Sequence, residues 1–169
     1  MEGEAVSDHI WAVRCDVRHK MWVQFRYQRR RQRFWDLADK LTKSATILLG
    51  ALLFGDWLRQ RLPLAASAIS GLSVLALIFG YTDRKQLHKE LAEQAANLIA
   101  SIEEVPANLL TSEMTSKWTA DFTRYCMKVP PALKTLTVIC EHEQATADGN
   151  PNFIQLPSIF RRCVAHFFS

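Results

Sequence analysis

Residues 62–82 read LPLAASAISGLSVLALIFGYT, 21 positions without one charged side chain. As a helix rising 1.5 Å per residue this run is about 31 Å long, close to the thickness of a bilayer's hydrocarbon core. A water-soluble helix in a chain of 169 residues normally carries a polar face, and this one has none. The run reads as a membrane span and sets the expected class, an all-α membrane protein.

Working outward, a second apolar run, SATILLGALLFG at 44–55, comes before it. Twelve residues are too few to span, but extended to 41–58 the run covers about 27 Å as a helix. Lys43 then snorkels at one end, while Asp56 and Trp57 mark the opposite surface. Residues 56–63, DWLRQRLP, are short, charged and closed by Pro63, the composition of a tight turn between antiparallel spans. The expected order is an amino-terminal cytoplasmic basic helix (1–43), a two-span transmembrane hairpin (41–82) and a cytoplasmic helical region (83–169) ending in an amphipathic helix. A buried hairpin in a soluble core, and one span with the first run lying on the surface, remain as alternatives.

Charge orients the hairpin. Ten Lys or Arg residues lie between Arg14 and Lys43, whereas the turn holds only Arg59 and Arg61. Arg84, Lys85 and Lys89 follow the second run. Positive charge thus collects on the side holding both termini, which are expected in the cytoplasm. The acidic start, MEGEAVSDHIW, is not a secretory signal. The four cysteines, Cys15, Cys126, Cys140 and Cys163, are widely spaced with no CxxC pair, so reduced thiols are expected rather than disulfides or zinc.

Upstream of the spans, Ile10, Val13, Val17 and Met21 recur at intervals of three and four on one helical face, with Ser7 or Asp8 as a cap. No proline or glycine interrupts residues 4–44. Within this helix, RYQRRRQRFW (26–35) places Arg26, Arg29, Arg30, Arg31 and Arg33 among Tyr27, Phe34 and Trp35. Beside a span these arginines, with Lys43, are expected to contact anionic headgroups, each contributing about 1 kcal/mol near the surface. The chain is basic (net charge +4), but nucleic acid is the weaker candidate partner. Downstream, Leu87, Leu91, Ala95, Leu98 and Ile102 form a coiled-coil-like seam. Leu110, Met114, Trp118, Phe122 and Tyr125 offer a face to pair with it, and Leu133, Leu136, Ile139 and Cys140 point inward from a further helix. Past Pro157, Ile159, Phe160, Cys163, Val164 and Phe167 form an apolar stripe beside Arg161 and Arg162. This reads either as an interfacial membrane helix or as a helix docked on the bundle.

Catalytic signals are weak: there is no phosphate-binding glycine loop, no GxSxG and no HExxH. No catalytic, cofactor or metal residue is assigned, and the chain is not expected to be an enzyme. Glu141-His142-Glu143 reads as a solvated face, because adjacent helical residues diverge. His9, His19 and His88 read as surface residues. On the second run Ala66, Ser70, Ser73, Ala76 and Gly80 share an imperfect stripe of small side chains, and Ala51 and Gly55 offer a small pair on the first. Such stripes let membrane helices approach closely, either inside one hairpin or between subunits. A pore needs several copies.

RQRFWDLADKLTKSATILLGALLFG (31–55) and ALIFGYTDRKQLHKELAEQAANL (76–98), with Phe79-Gly80-Tyr81-Thr82-Asp83 as the exit from the second run, resemble the SLATT proteins. These are bacterial two-transmembrane effectors associated with nucleotide-cyclase and nucleotide-sensor defence systems. The resemblance implies an inner-membrane effector of an anti-phage system that oligomerises and permeabilises the membrane, arresting the infected cell. It implies a homo-oligomer triggered through a partner or sensor protein, and it transfers no ligand-binding residue. A membrane-anchored adaptor recruiting a partner through the helices from Leu87 onward, and a prophage holin-like lysis protein, are the alternative functions.

Overall fold

The computed structural model describes residues 2–52, 62–163, 165 and 166. All regular structure among them is helical: α1 (Glu2–Leu52), α2 (Leu62–Phe79), α3 (Tyr81–Glu103), a 3₁₀ turn at Ala107–Leu109, α4 (Ser112–Lys128), α5 (Lys134–Ala147) and α6 (Ile159–Cys163). The expected inter-span turn, with Gly55, Asp56 and Trp57, lies outside the described residues. Among those described, one helical run, Ala66–Glu103, is long and apolar enough to cross a membrane. The chain divides into two compact units. One is a bundle of the residues up to Arg30 and from Lys89 onward; the other is Arg31–His88, the apolar unit.

α1 is long because nothing in its sequence stops it. Acids placed four residues ahead of bases add support along its length: Asp16–Lys20 at 2.6 Å, Asp36–Lys40 at 2.7 Å and Asp39–Lys43 at 2.6 Å. In the bundle α1 buries two faces. Val17 and Met21 pack with Leu91, Ala95, Ile99 and Ile102 of α3 and with Trp118 and Tyr125 of α4. Val23 and Tyr27 pack with Leu136, Ile139 and Cys140 of α5 and with Ala165. At about 100° per residue, Met21 and Val23 point about 200° apart, so α1 is covered from opposite sides. The expected Val13–Val17–Met21 face accounts for the first contact only. The α3 seam also turns slightly from its expected course: Ile99 is buried, Leu98 is partly buried and Leu87 is exposed.

Polar groups close the ends of these helices. The Arg14 guanidinium donates to the Ile102 carbonyl at 2.9 Å, satisfying an orphan acceptor at the end of α3. Thr111 caps α4 by accepting from the Met114 amide. α5 ends in a Schellman motif: Asn150 N–H donates to Ala145 O and Gly149 N–H to Thr146 O, with Gly149 at φ 87°. That geometry explains the Asp148-Gly149-Asn150 cluster. Gly80, at φ 53°, separates α2 from α3 while its amide still reaches the Ala76 carbonyl at 3.2 Å. A side chain there would strain the backbone, so Gly80 serves the joint between two helices as well as the small-residue stripe.

The start of α5 has no side-chain cap of its own. Instead the Leu133 amide donates to the hydroxyl of Tyr27, a buried residue, at 3.0 Å. Tyr27→Phe keeps the ring and removes this acceptor. It is expected to lower bundle stability by about 1–3 kcal/mol, the cost of an unsatisfied amide, measured by chemical unfolding of the full chain in detergent. An unchanged midpoint would show that the amide finds another acceptor.

Candidate functional site

In the apolar unit, no described side chain between residues 36 and 51 or between 66 and 80 is buried. Ile47 is 70% exposed and Leu77 85% exposed, and Leu41, Leu48, Val74 and Ile78 are exposed with them. So many large apolar side chains left exposed are unusual for a monomer in water. Three hydroxyls in this unit are turned inward to their own helices. Thr42 donates to Ala38 O, Thr46 to Thr42 O and Ser73 to Ile69 O, each at 2.9 Å. Back-bonded in this way, they can enter an apolar medium without losing a partner.

The small-residue stripe lies largely open. Ala51, Ala66, Ser70 and Ser73 are exposed, while Ala76 and Gly80 are half-buried. The lower part of the stripe forms one wall of a groove of about 670 Å³: Ser73, Ala76 and Gly80 face Asp39, Thr42, Lys43 and Thr46 of α1 across it. Ser73 keeps its hydroxyl within α2, so its donated bond does not cross to another helix.

The arginine cluster divides between two roles. In the bundle, Arg26 donates to the Gln144 side chain at 3.0 Å and Arg30 pairs with Glu143, both on α5. Arg29 lies over the Phe25 ring, 5.8 Å from its centroid. The triplet Glu141-His142-Glu143 is therefore not the solvated face its pattern implied. Glu143 takes Arg30, and the His142 ring meets the Ile154 carbonyl at 2.6 Å. In the apolar unit, Arg31 lies over both Phe34 and Trp35, whereas Arg33 is exposed. Lys43 pairs with Asp39.

Trp35 is the centre of an aromatic and charged cluster that the sequence pattern did not single out. Tyr81 stacks on it at 5.9 Å and Phe34 meets it edge-on at 5.1 Å. Beside it Asp36 bridges Lys40 and Lys85, both at 2.7 Å. The bonds to Lys40 and then Lys85 hold the Asp36 carboxyl down at about 2, and Asp36 in turn raises Lys85. His88, expected at the surface, is instead 5% exposed. Burial, and then the charges of Arg31 and Arg84, push its pKa down to about 4. The spacing of Tyr81, Arg84 and His88 by three and four is the signal that puts them on one face of α3.

The carboxy-terminal segment is docked at one point and open at another. Ala165 is buried against α5 residues, while Ile159 and Phe160 are each 77% exposed beside Arg161 and Arg162. Val164 and Phe167 lie outside the described residues. Among the described residues no three His, Cys, Asp or Glu side chains converge as metal ligands. Cys140 is buried, and burial drives its thiol up to about 12, a value that leaves it unreactive at neutral pH.

The depressed His88 value fixes the sign of a pH response. Its folded-state pKa lies below the ordinary 6.5, so its contribution to stability is complete above about pH 6.5 and is lost as pH falls toward 4. Asp36 adds a lower window, from its ordinary 3.8 down to about 2. Histidine NMR of the full chain in detergent is expected to show His88 titrating near pH 4, and Arg84→Gln should raise that midpoint. A midpoint near 6.5 in the unmodified chain would contradict the burial.

No family model matches the chain, and no curated protein or solved structure is significantly similar to it.

Proposed function

We propose that this chain is a membrane effector whose copies assemble through their apolar helices and permeabilise the bilayer. Following the SLATT resemblance, the setting is an anti-phage system at a bacterial inner membrane, with both termini cytoplasmic. The observation that carries the reading is the uncovered apolar surface of residues 36–51 and 66–80, whose Thr42, Thr46 and Ser73 hydroxyls need no water. The chain segments on both sides of this stretch belong to one compact bundle. A stretch that leaves a bundle and returns to it crosses a membrane an even number of times, which favours two spans over one. Basic residues on both flanks agree with that topology.

Two helices enclose no water, so permeation requires several copies. The exposed Ala66, Ser70 and Ser73 give α2 a surface that another helix can approach closely. Arg33, exposed in the apolar unit, supplies a headgroup contact.

A membrane-anchored adaptor is the second reading. It is favoured by exposed apolar side chains on the bundle, notably Leu109, Met127 and Phe153. Inducible expression in a bacterium, read with a membrane-potential dye, separates the two. The effector is expected to depolarise cells and stop growth, and the double variant Ser70→Leu, Ser73→Leu should insert normally yet reduce depolarisation at least tenfold. Normal polarisation at high, correctly inserted levels, with the neighbouring genes present, would leave only the adaptor.

A further inference from the structure

The carboxy-terminal stretch of the bundle is fixed at two points and open between them. Upstream, the His142 ring of α5 meets the Ile154 carbonyl at 2.6 Å. Downstream, Ala165 is buried with Val23, Tyr27, Leu136, Ile139 and Cys140. Between these points Leu156, Ile159 and Phe160 are exposed, and so are Arg161 and Arg162.

The open part has an ordered polarity. Ile159–Cys163 is the short helix α6, and the Arg162 amide donates to the Ser158 carbonyl at 3.0 Å. At about 100° per residue, Ile159 and Phe160 occupy one half of this helix, and Arg161 and Arg162 occupy the other. The charge is of one sign. Residues 149–169 hold Arg161, Arg162 and His166 and no aspartate or glutamate. Arg26 and Arg30 of the same bundle take partners on α5, whereas among the described residues neither Arg161 nor Arg162 pairs with a carboxylate.

An apolar half beside an unpaired basic half matches the boundary between acyl chains and anionic headgroups. A purely apolar partner would leave both guanidiniums unanswered. The same segment of a second copy would bring four arginines together, and like charges repel.

We propose that residues 156–162 are an interfacial anchor that holds the bundle on an anionic bilayer surface. Ile159 and Phe160 enter the acyl boundary. Arg161 and Arg162 lay their apolar stems along it and place their charges at the lipid phosphates. The proposal rests on the membrane reading above, which brings the bundle beside a bilayer. It adds a lipid contact made outside the apolar runs and gives that lipid a negative charge.

The test is photo-crosslinking of the full-length protein in nanodiscs, with lipid adducts read by mass spectrometry. One set of discs holds phosphatidylcholine alone, and the other an equal mixture with phosphatidylglycerol. Benzoylphenylalanine, a crosslinking residue of similar shape, replaces Phe160, whose exposure leaves the core untouched. It replaces Ile47 in a second chain, to report the apolar unit, and Leu109 in a third, an exposed bundle residue with no basic neighbour in sequence. The Phe160 position is expected to capture lipid several-fold more in the mixed discs. Arg161→Gln with Arg162→Gln should lower that capture at least about fivefold, the effect of one basic residue at an anionic surface. Ile47 should capture lipid equally in both discs.

No lipid adduct at Phe160, equal adducts there in both discs, a crosslink to a second copy instead, or a Leu109 adduct as strong as that at Phe160 each overturns the anchor. The Ile47 position keeps the two readings apart. Lipid capture at Ile47 without capture at Phe160 loses the anchor and keeps the membrane role. Anionic capture at Phe160 without capture at Ile47 keeps the anchor and removes the spans.

Discussion

Apolar side chains left largely exposed govern this molecule. Burying a leucine-sized side chain is worth about 1.5–3 kcal/mol, and residues 36–51 and 66–80 withhold that gain from the isolated chain. In the proposed setting a lipid phase or neighbouring copies supply it. The hydroxyls of Thr42, Thr46 and Ser73 fit the same constraint, since each is satisfied within its own helix. An apolar surroundings tolerates such groups and penalises any that wait for water.

The bundle solves the opposite problem, that of building a core from highly charged helices. It does so by covering α1 on two sides, with α3 and α4 on one face and α5 with Ala165 on the other. The cost of placing arginines on a doubly covered helix is met by specific partners: Ile102 O for Arg14, Gln144 for Arg26 and Glu143 for Arg30. Three side chains that look like a basic surface in the sequence thus help to hold the bundle together. The arginines further along α1 face a different environment, in which Arg31 is held over aromatic rings and Arg33 is exposed. A run of like charges is in this way split between pairing within the bundle and, further along, aromatic contact or exposure.

Much of the helical plan was legible in the residues. Val105-Pro106 and Pro130-Pro131 stand before the helices at Ser112–Lys128 and Lys134–Ala147, and Leu91, Ala95 and Ile102 of the expected seam are buried. Proline and the 3.6-residue period act locally, and local rules can be read without a fold. The second face of α1, Val23 and Tyr27, was not legible, because Gln24 and Arg26 between them and Gln28 after them leave no clear apolar stripe. His88 was misplaced for a related reason. A lone histidine among charged neighbours looks solvated until α1 brings aromatic and cationic groups to it.

Composition by itself determined that the chain is helical and that one uncharged run has the length and apolarity of a span, because both follow from side-chain type and spacing along a single helix. Only the tertiary structure decided which arginines are paired within the bundle, that His88 is buried, and that Arg84 lies over the Trp35 indole. These are contacts between residues more than forty positions apart, and no rule of local spacing encodes which faces their helices present to each other.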